Sequence, residues 1–164
     1  MASEDAKVLS KERLKKIEVS GPGINFDYAH FLPSSPKCGV LHGHSSTVSV
    51  TVVGKMVDDM VVEFGELKKM VKKVVDSMDH KLIVCRKYLS HLDNGKVKVE
   101  FDGVGGHYEF ILPTNSVYVI EFDSTVENIS EHIAARLREM LPPNIHRIHV
   151  RMSEGFGKYA TSSL

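Results

Sequence analysis

Apolar residues recur at two different spacings along this 164-residue chain, and the switches between them divide it into strands and helices. Alternation comes first. Residues 16–20 read as a strand, which Gly21-Pro22-Gly23 interrupts as a bulge or turn. Beyond it, Ile24, Phe26, Tyr28 and His30 alternate onto one side, so His30 closes an apolar stripe. Pro33-Ser34-Ser35-Pro36 predicts a loop that delivers Cys38. The clearest strand covers residues 44–56. His44, Ser46, Val48, Val50 and Val52 share one face of it; Ser45, Thr47, Ser49 and Thr51 share the other, which is either wetter or turned to a partner. Asp58-Asp59 reads as a turn and residues 60–64 as a returning strand.

The spacing then becomes helical. Leu67, Met70, Val71, Val74, Val75 and Met78 fall at i, i+3, i+4, i+7, i+8 and i+11. Lys68, Lys69, Lys72 and Lys73 lie opposite, most simply as a solvated face, and the helix is expected to end near Asp79-His80. Cys85 follows the apolar run Leu82-Ile83-Val84 and reads as core. Residues 96–101 and 107–112 predict a hairpin across 102–106. Its Gly105-Gly106 pair marks a turn and not a phosphate loop, since no GxxxxGK[ST] pattern surrounds it. Residues 117–122 read as a strand. A second helix begins near Ser124, with Ile129, Ile133, Leu137 and Leu141 as its stripe and Pro142-Pro143 as its stop. The last strand, 145–153, alternates Ile148, Val150 and Met152 against Arg147, His149 and Arg151. Strands joined by short turns predict an antiparallel sheet, and two amphipathic helices need a face to cover. The expected architecture is a two-layer α+β sandwich. It forms one domain over 15–164, after a polar tail at 1–14 and with an insertion at about 86–113.

Composition narrows the function classes. Lys plus Arg number 21 and Asp plus Glu number 21, so bulk electrostatics gives no reason to expect nucleic acid as a partner. Near-zero charge mildly favours burying surface in an oligomer. Two cysteines argue against a disulfide framework, and the charged N-terminus lacks a signal peptide's apolar centre. No stretch approaches the ~20 apolar residues of a membrane span. A reducing, cytoplasmic setting without membrane contact is expected.

The candidate chemistry concentrates in Cys38-Gly39-Val40-Leu41-His42-Gly43-His44, with His30 upstream. On a strand, His42 and His44 point to the same side, roughly 6–7 Å apart. Gly43 between them adds no bulk, and His30 offers a third nitrogen. Three histidines with an open fourth position is the ligand pattern of a catalytic zinc site. A cation nearby would favour the thiolate of Cys38. No HExxH pattern suggests a zinc hydrolase.

Several segments, in order, carry a resemblance. They are Phe26-Asp27-Tyr28-Ala29-His30, the Cys38 to His44 stretch, Met60-Val61-Val62-Glu63-Phe64-Gly65-Glu66-Leu67-Lys68, Met78-Asp79-His80, Ser124-Thr125-Val126-Glu127-Asn128, and Glu154 followed by Tyr159. On these the chain resembles the 6-pyruvoyl-tetrahydropterin synthase and 6-carboxytetrahydropterin synthase family. The resemblance implies the tunnelling fold, an antiparallel four-stranded sheet with two helices on one face. It implies assembly into a trimeric barrel, stacked as a hexamer, with active sites at subunit junctions.

The same resemblance implies that His30, His42 and His44 hold Zn2+. It implies that Cys38, Asp79 and His80 form a proton relay, and that Glu154 anchors a pterin, helped by Thr125 and Glu127. Plainer readings stand beside these. His80 at a helix C-terminus is favoured by the macrodipole, and Ser124-x-x-Glu127 is also a capping box. Three departures are visible. Phe31 stands where the family often has Arg, which leaves a phosphate contact to Lys37 or Arg86; Glu63 replaces the usual Asp; and the 86–113 segment is longer than in compact relatives.

The implied substrate is 7,8-dihydroneopterin triphosphate. One branch releases triphosphate and gives 6-pyruvoyl-tetrahydropterin. Another also cleaves a carbon–carbon bond, giving 6-carboxy-5,6,7,8-tetrahydropterin and acetaldehyde, and feeds the 7-deazaguanine pathway behind queuosine or archaeosine. Three residues separate Cys38 from His42, which is similar to the carboxytetrahydropterin branch. A third branch, tied to folate synthesis, tends to have Glu where Cys38 stands. A pterin- or purine-binding protein with structural zinc is the non-enzymatic alternative.

Overall fold

The computed structural model describes residues 14–164. The polar tail expected at 1–14 lies outside the described residues apart from Leu14, which opens the first strand. In sequence order the strands are β1 (Leu14–Val19), β2 (Asn25–His30), β3 (His42–Lys55), β4 (Lys81–Cys85), β5 (Leu89–Leu92), β6 (Lys96–Gly103), β7 (Gly106–Pro113), β8 (Val117–Ile120), β9 (Ile145–Ser153) and β10 (Tyr159–Ser163). Helix α1 (Phe64–Met78) lies between β3 and β4, and α2 (Val126–Arg138) between β8 and β9.

The long strand β3 organises the sheet. Its C-terminal half pairs antiparallel with β1 (Val19↔Val50), and its N-terminal half with β2 (Asn25↔Thr47 to His30↔His42). The break falls where Gly21 and Gly23 adopt φ of 98° and 84°, a region glycine enters without a Cβ penalty. β9 occupies the other edge of β3, and β10 lies outside β9. The expected antiparallel set is therefore present, with β1 and β2 sharing one lane.

The sheet is nevertheless larger than four strands. Among the described residues it has seven, because β4 pairs in parallel with β2 and β8 in parallel with β4. The reason lies in α1, a crossover connection that returns the backbone to run parallel to β2. Four of the five β4 residues are buried. That continuous apolar run is the mark of a parallel strand covered on both faces.

The alternation in β2, β3 and β9 builds the main core. Ile24, Phe26, Val48, Val50, Val52, Ile148, Val150 and Met152 meet the apolar stripes of both helices, Leu67, Val71, Val75 and Met78 from α1 and Ile129, Ile133 and Leu137 from α2. Full burial of each such aliphatic group contributes about 1.5–3 kcal/mol relative to exposure. Ile83 of β4 joins this core, while its neighbours Leu82 and Val84 face the other way. There they meet a second sheet, β5-β6-β7, through Val97, Val99 and Phe101.

Three local expectations are corrected. Residues 60–64 form no strand beyond a single bridge, Val57↔Met60. Glu63 instead caps α1, its carboxylate accepting from the amides of Gly65 and Glu66 at 2.8 Å each. An acceptor for the free first-turn amides outweighs a short alternating pattern. At α2 the cap is Thr125, whose hydroxyl accepts from the Asn128 amide at 3.2 Å, so the capping box on Ser124 does not form. The helix ends at Arg138, before Leu141.

Candidate active site

Antiparallel pairing sets His30 opposite His42 and Tyr28 opposite His44. Alternation then turns all three imidazoles to the same face. Their ring centroids lie 4.5 Å (His30–His42), 5.1 Å (His30–His44) and 5.0 Å (His42–His44) apart. One nitrogen from each falls within 4.8 Å of the other two. His30 is fully buried, and its partners are half-buried.

Hydrogen bonds fix which nitrogen each ring offers. His30 Nδ1 lies 2.6 Å from the Ser124 carbonyl, and His42 Nδ1 lies 2.8 Å from the Val40 carbonyl. A carbonyl only accepts, so both Nδ1 atoms carry the proton and both Nε2 atoms present lone pairs. Those two Nε2 atoms are 3.1 Å apart. The Nε2 of His44 is buried without a hydrogen-bond partner. Burial is the main cause that lowers the His30 pKa to about 4, with His42 and His44 adding to it against the Ser124 bond. Burial also lowers that of His44. Three imidazoles converging at this distance are costly together unless a cation lies between them, and neutral imidazole is the ligand form. The donor set fits a zinc ion.

Glu154 follows β9 at the edge of this cluster. Ser46 and Thr47 of β3 pin the end of β9: Ser46 Oγ donates to the Ser153 carbonyl at 2.6 Å, and the Thr47 amide donates to Ser153 Oγ at 2.8 Å. One Glu154 carboxylate oxygen thereby sits 4.0 Å from His30 Nε2 and 3.9 Å from His44 Nε2, the other 3.7 Å from Lys158 Nζ.

Asp79 and His80 come just after α1. Neighbours within a helix do not face each other, but these two have left it. Asp79 is extended and His80 has a φ of 55°. Their side chains pair at 2.9 Å, while the Asp27 amide donates to Asp79 Oδ1 at 2.9 Å. The Asp27 amide, and then His80, hold the Asp79 carboxyl below its usual range; Asp79 in turn raises His80. Asp27, Tyr28, His44, His80 and Lys81 help line a cleft of about 490 Å³.

Cys38 stands half-buried in the loop before β3, its carbonyl accepting from the Leu32 amide at 2.7 Å. Among the described residues no hydrogen bond or ion pair joins Cys38 to Asp79 or His80. Nor does one link the triad to Thr125 or Glu127; the Thr125 hydroxyl is engaged in capping, and Glu127 is exposed. The segment reaches the triad through the Ser124 carbonyl instead. Cys85 is buried, as expected of a core residue. The carbonyls of Ser124 and Val40, the Lys158 ammonium and the buried, unpartnered Tyr28 hydroxyl are parts of the site that the sequence did not reveal. Backbone acceptors leave no residue signature; the proximity of Lys158 to the expected anchor was the one available signal.

The family model described as 6-pyruvoyl tetrahydropterin synthase matches residues 22–163. The chain belongs to this family. A Methanocaldococcus jannaschii relative, provisionally named 6-carboxy-5,6,7,8-tetrahydropterin synthase, is 31% identical over 88% of this chain and 93% of its own length. A Rickettsia bellii 6-carboxy-5,6,7,8-tetrahydropterin synthase is 31% identical over 67% and 72% respectively. The solved Plasmodium falciparum 6-pyruvoyl tetrahydropterin synthase superposes with a TM-score of 0.77 at 27% identity, over 92% of this chain and 98% of that one.

Phe31 packs against the second sheet. Its ring stacks on Phe101 at 3.7 Å with planes 6° apart, so it belongs to the core beneath the second sheet. The Arg86 guanidinium, a candidate phosphate contact, is forked onto Glu121 at 2.9 and 2.7 Å. Lys37 is exposed.

Proposed function

We propose that this chain is a zinc-dependent lyase that converts 7,8-dihydroneopterin triphosphate to 6-carboxy-5,6,7,8-tetrahydropterin, acetaldehyde and triphosphate. The observation that carries the reading is the convergence of three imidazoles, two of which have their Nε2 atoms turned inward by carbonyls on Nδ1. The names of the archaeal and bacterial relatives support the branch, as does the three-residue gap between Cys38 and His42. The product would enter the 7-deazaguanine pathway toward queuosine or archaeosine.

In this reading His30, His42 and His44 hold the metal. Zinc bound there supplies Lewis acidity toward the hydroxyls on the substrate's C6 substituent. Glu154 accepts two hydrogen bonds from the 2-amino and ring N–H edge of the pterin. Thr125 and Glu127 are assigned as secondary pterin contacts on the family resemblance. Cys38 takes a proton from a carbon of that substituent and returns it. Asp79 keeps Nδ1 of His80 protonated, leaving Nε2 to exchange a proton.

Among the described residues no hydrogen bond or ion pair joins Cys38 to the Asp79–His80 pair within one protomer, which supports a homo-oligomer, a hexamer built as a dimer of trimers, that joins them across subunits. The single domain over 15–164, with 86–113 as an insertion, is the proposed unit. A cytoplasmic setting is proposed with it; no helix among the described residues is long and apolar enough to cross a membrane.

A second reading, elimination of triphosphate to 6-pyruvoyl-tetrahydropterin without carbon–carbon cleavage, is favoured by the name of the Plasmodium structure. Incubation with dihydroneopterin triphosphate and mass spectrometry of the products separates the readings. We expect acetaldehyde in step with triphosphate. Triphosphate alone would move the enzyme to the pyruvoyl branch. Tight pterin binding without turnover would mark a binding protein.

A further inference from the structure

The β6–β7 hairpin has no part in the chemistry above, yet its tip presses on the loop that carries Cys38. A Cβ added to Gly103 would lie 2.6 Å from the Gly39 carbonyl oxygen. A Cβ on Gly39 would lie 2.9 Å from Val104 Cγ2 and 2.7 Å from the Ser35 carbonyl oxygen. Neither glycine has a positive φ, so neither is demanded by local backbone conformation. Their role is the other one glycine performs, close approach of one backbone to another.

The contact is braced on both sides. The Tyr108 hydroxyl donates to the Val104 carbonyl at 2.6 Å, fixing the tip. Tyr108 stacks on Phe101 at 4.8 Å, and Phe101 on Phe31 at 3.7 Å. Phe31 directly follows His30, and the Leu32 amide holds the Cys38 carbonyl at 2.7 Å. A closed circuit results. It runs from the end of β2 through three stacked rings to the hairpin tip, across to Gly39, and back through Cys38 to Leu32. The thiol loop and the strand carrying His30 are thus tied to one rigid element.

We infer that the β6–β7 hairpin is a positioning element, which sets where the Cys38 thiol stands relative to the histidine triad. The inference rests on the reading of Cys38 as the proton-transferring group. Its residues Gly103 and Val104 touch no reacting atom and act through the loop.

The test compares Gly103→Ala, which crowds the Gly39 carbonyl, with Val104→Ala, which removes the Val104 side chain's part of the contact and adds no atoms. Ile111→Ala, exposed on β7, is the control. Alkylation of Cys38 by iodoacetamide is followed against pH by mass spectrometry, with buried Cys85 as internal reference. Zinc content, kcat and KM are measured on the same preparations. Displacement of a reacting group by about 1 Å costs on the order of 100-fold in rate. We therefore expect Gly103→Ala to lower kcat by roughly 10- to 100-fold with little change in KM or zinc. Its Cys38 alkylation profile should move along the pH axis, that of Val104→Ala less so, and that of Ile111→Ala not at all. Wild-type alkylation and kcat in a folded Gly103→Ala protein would overturn the inference. If Gly103→Ala does not fold, an unchanged Val104→Ala profile overturns it. Because alkylation needs no turnover, a wild-type protein inactive on the pterin would sink the functional reading while the hairpin question is still answered.

Discussion

Cys38→Ala lowers kcat on dihydroneopterin triphosphate by about 100- to 10,000-fold, the range for loss of a positioned acid or base, and leaves zinc at wild-type content. The two effects separate because the thiol is not among the three groups that converge on the metal position. Cys38 lies in a loop whose backbone is held independently of its sulfur, by Leu32, Ser35 and Gly103. Removing Sγ therefore deletes chemistry without deleting the scaffold. Steady-state kinetics and elemental analysis of the same sample check this. Loss of zinc along with activity would make Cys38 a ligand, and retention of activity would remove it from the mechanism.

The second large effect is His42→Ala. This residue is half-buried at the rim of the cluster, so its loss spares the core that fully buried His30 helps to fill. Two nitrogens cannot replace the grip of three, and zinc content falls from about one per protomer to a small fraction of that. Stability reports the same loss. Zinc at about 1,000 times its Kd stabilises a folded protein that binds it by roughly 4 kcal/mol. The wild type should show a matching rise in Tm on zinc addition, and His42→Ala should show little. An equal rise in both proteins would place the metal elsewhere.

Much of this site could be read from residue order because strand alternation and metal geometry share a period. His42-Gly43-His44 puts two rings on one face, and the Ile24, Phe26, Tyr28, His30 stripe puts the third on the neighbouring strand. What stayed hidden has three causes. β4 is a short apolar run with no alternation, so its parallel pairing depends on the crossover and not on its own residues. β10 is polar and lies at the sheet edge, where only pairing with β9 makes it a strand. The supports of the triad are carbonyls of Ser124 and Val40, which any residue would supply. Glu63 and Thr125 show the opposite case: side chains with a familiar capping signature whose role depends on which residue the helix begins at. Phe31, an oddity in sequence, becomes intelligible once it is seen to stack on Phe101 of β6, which stacks in turn on Tyr108 of β7.

The most direct test is anomalous diffraction at the zinc absorption edge from crystals of the zinc-loaded protein. The predicted result is one peak per protomer, bonded by the Nε2 atoms of His30, His42 and His44, with Glu154 at its rim. A metal-free cluster in crystals shown to contain zinc, or rings turned away from one another, would contradict the account.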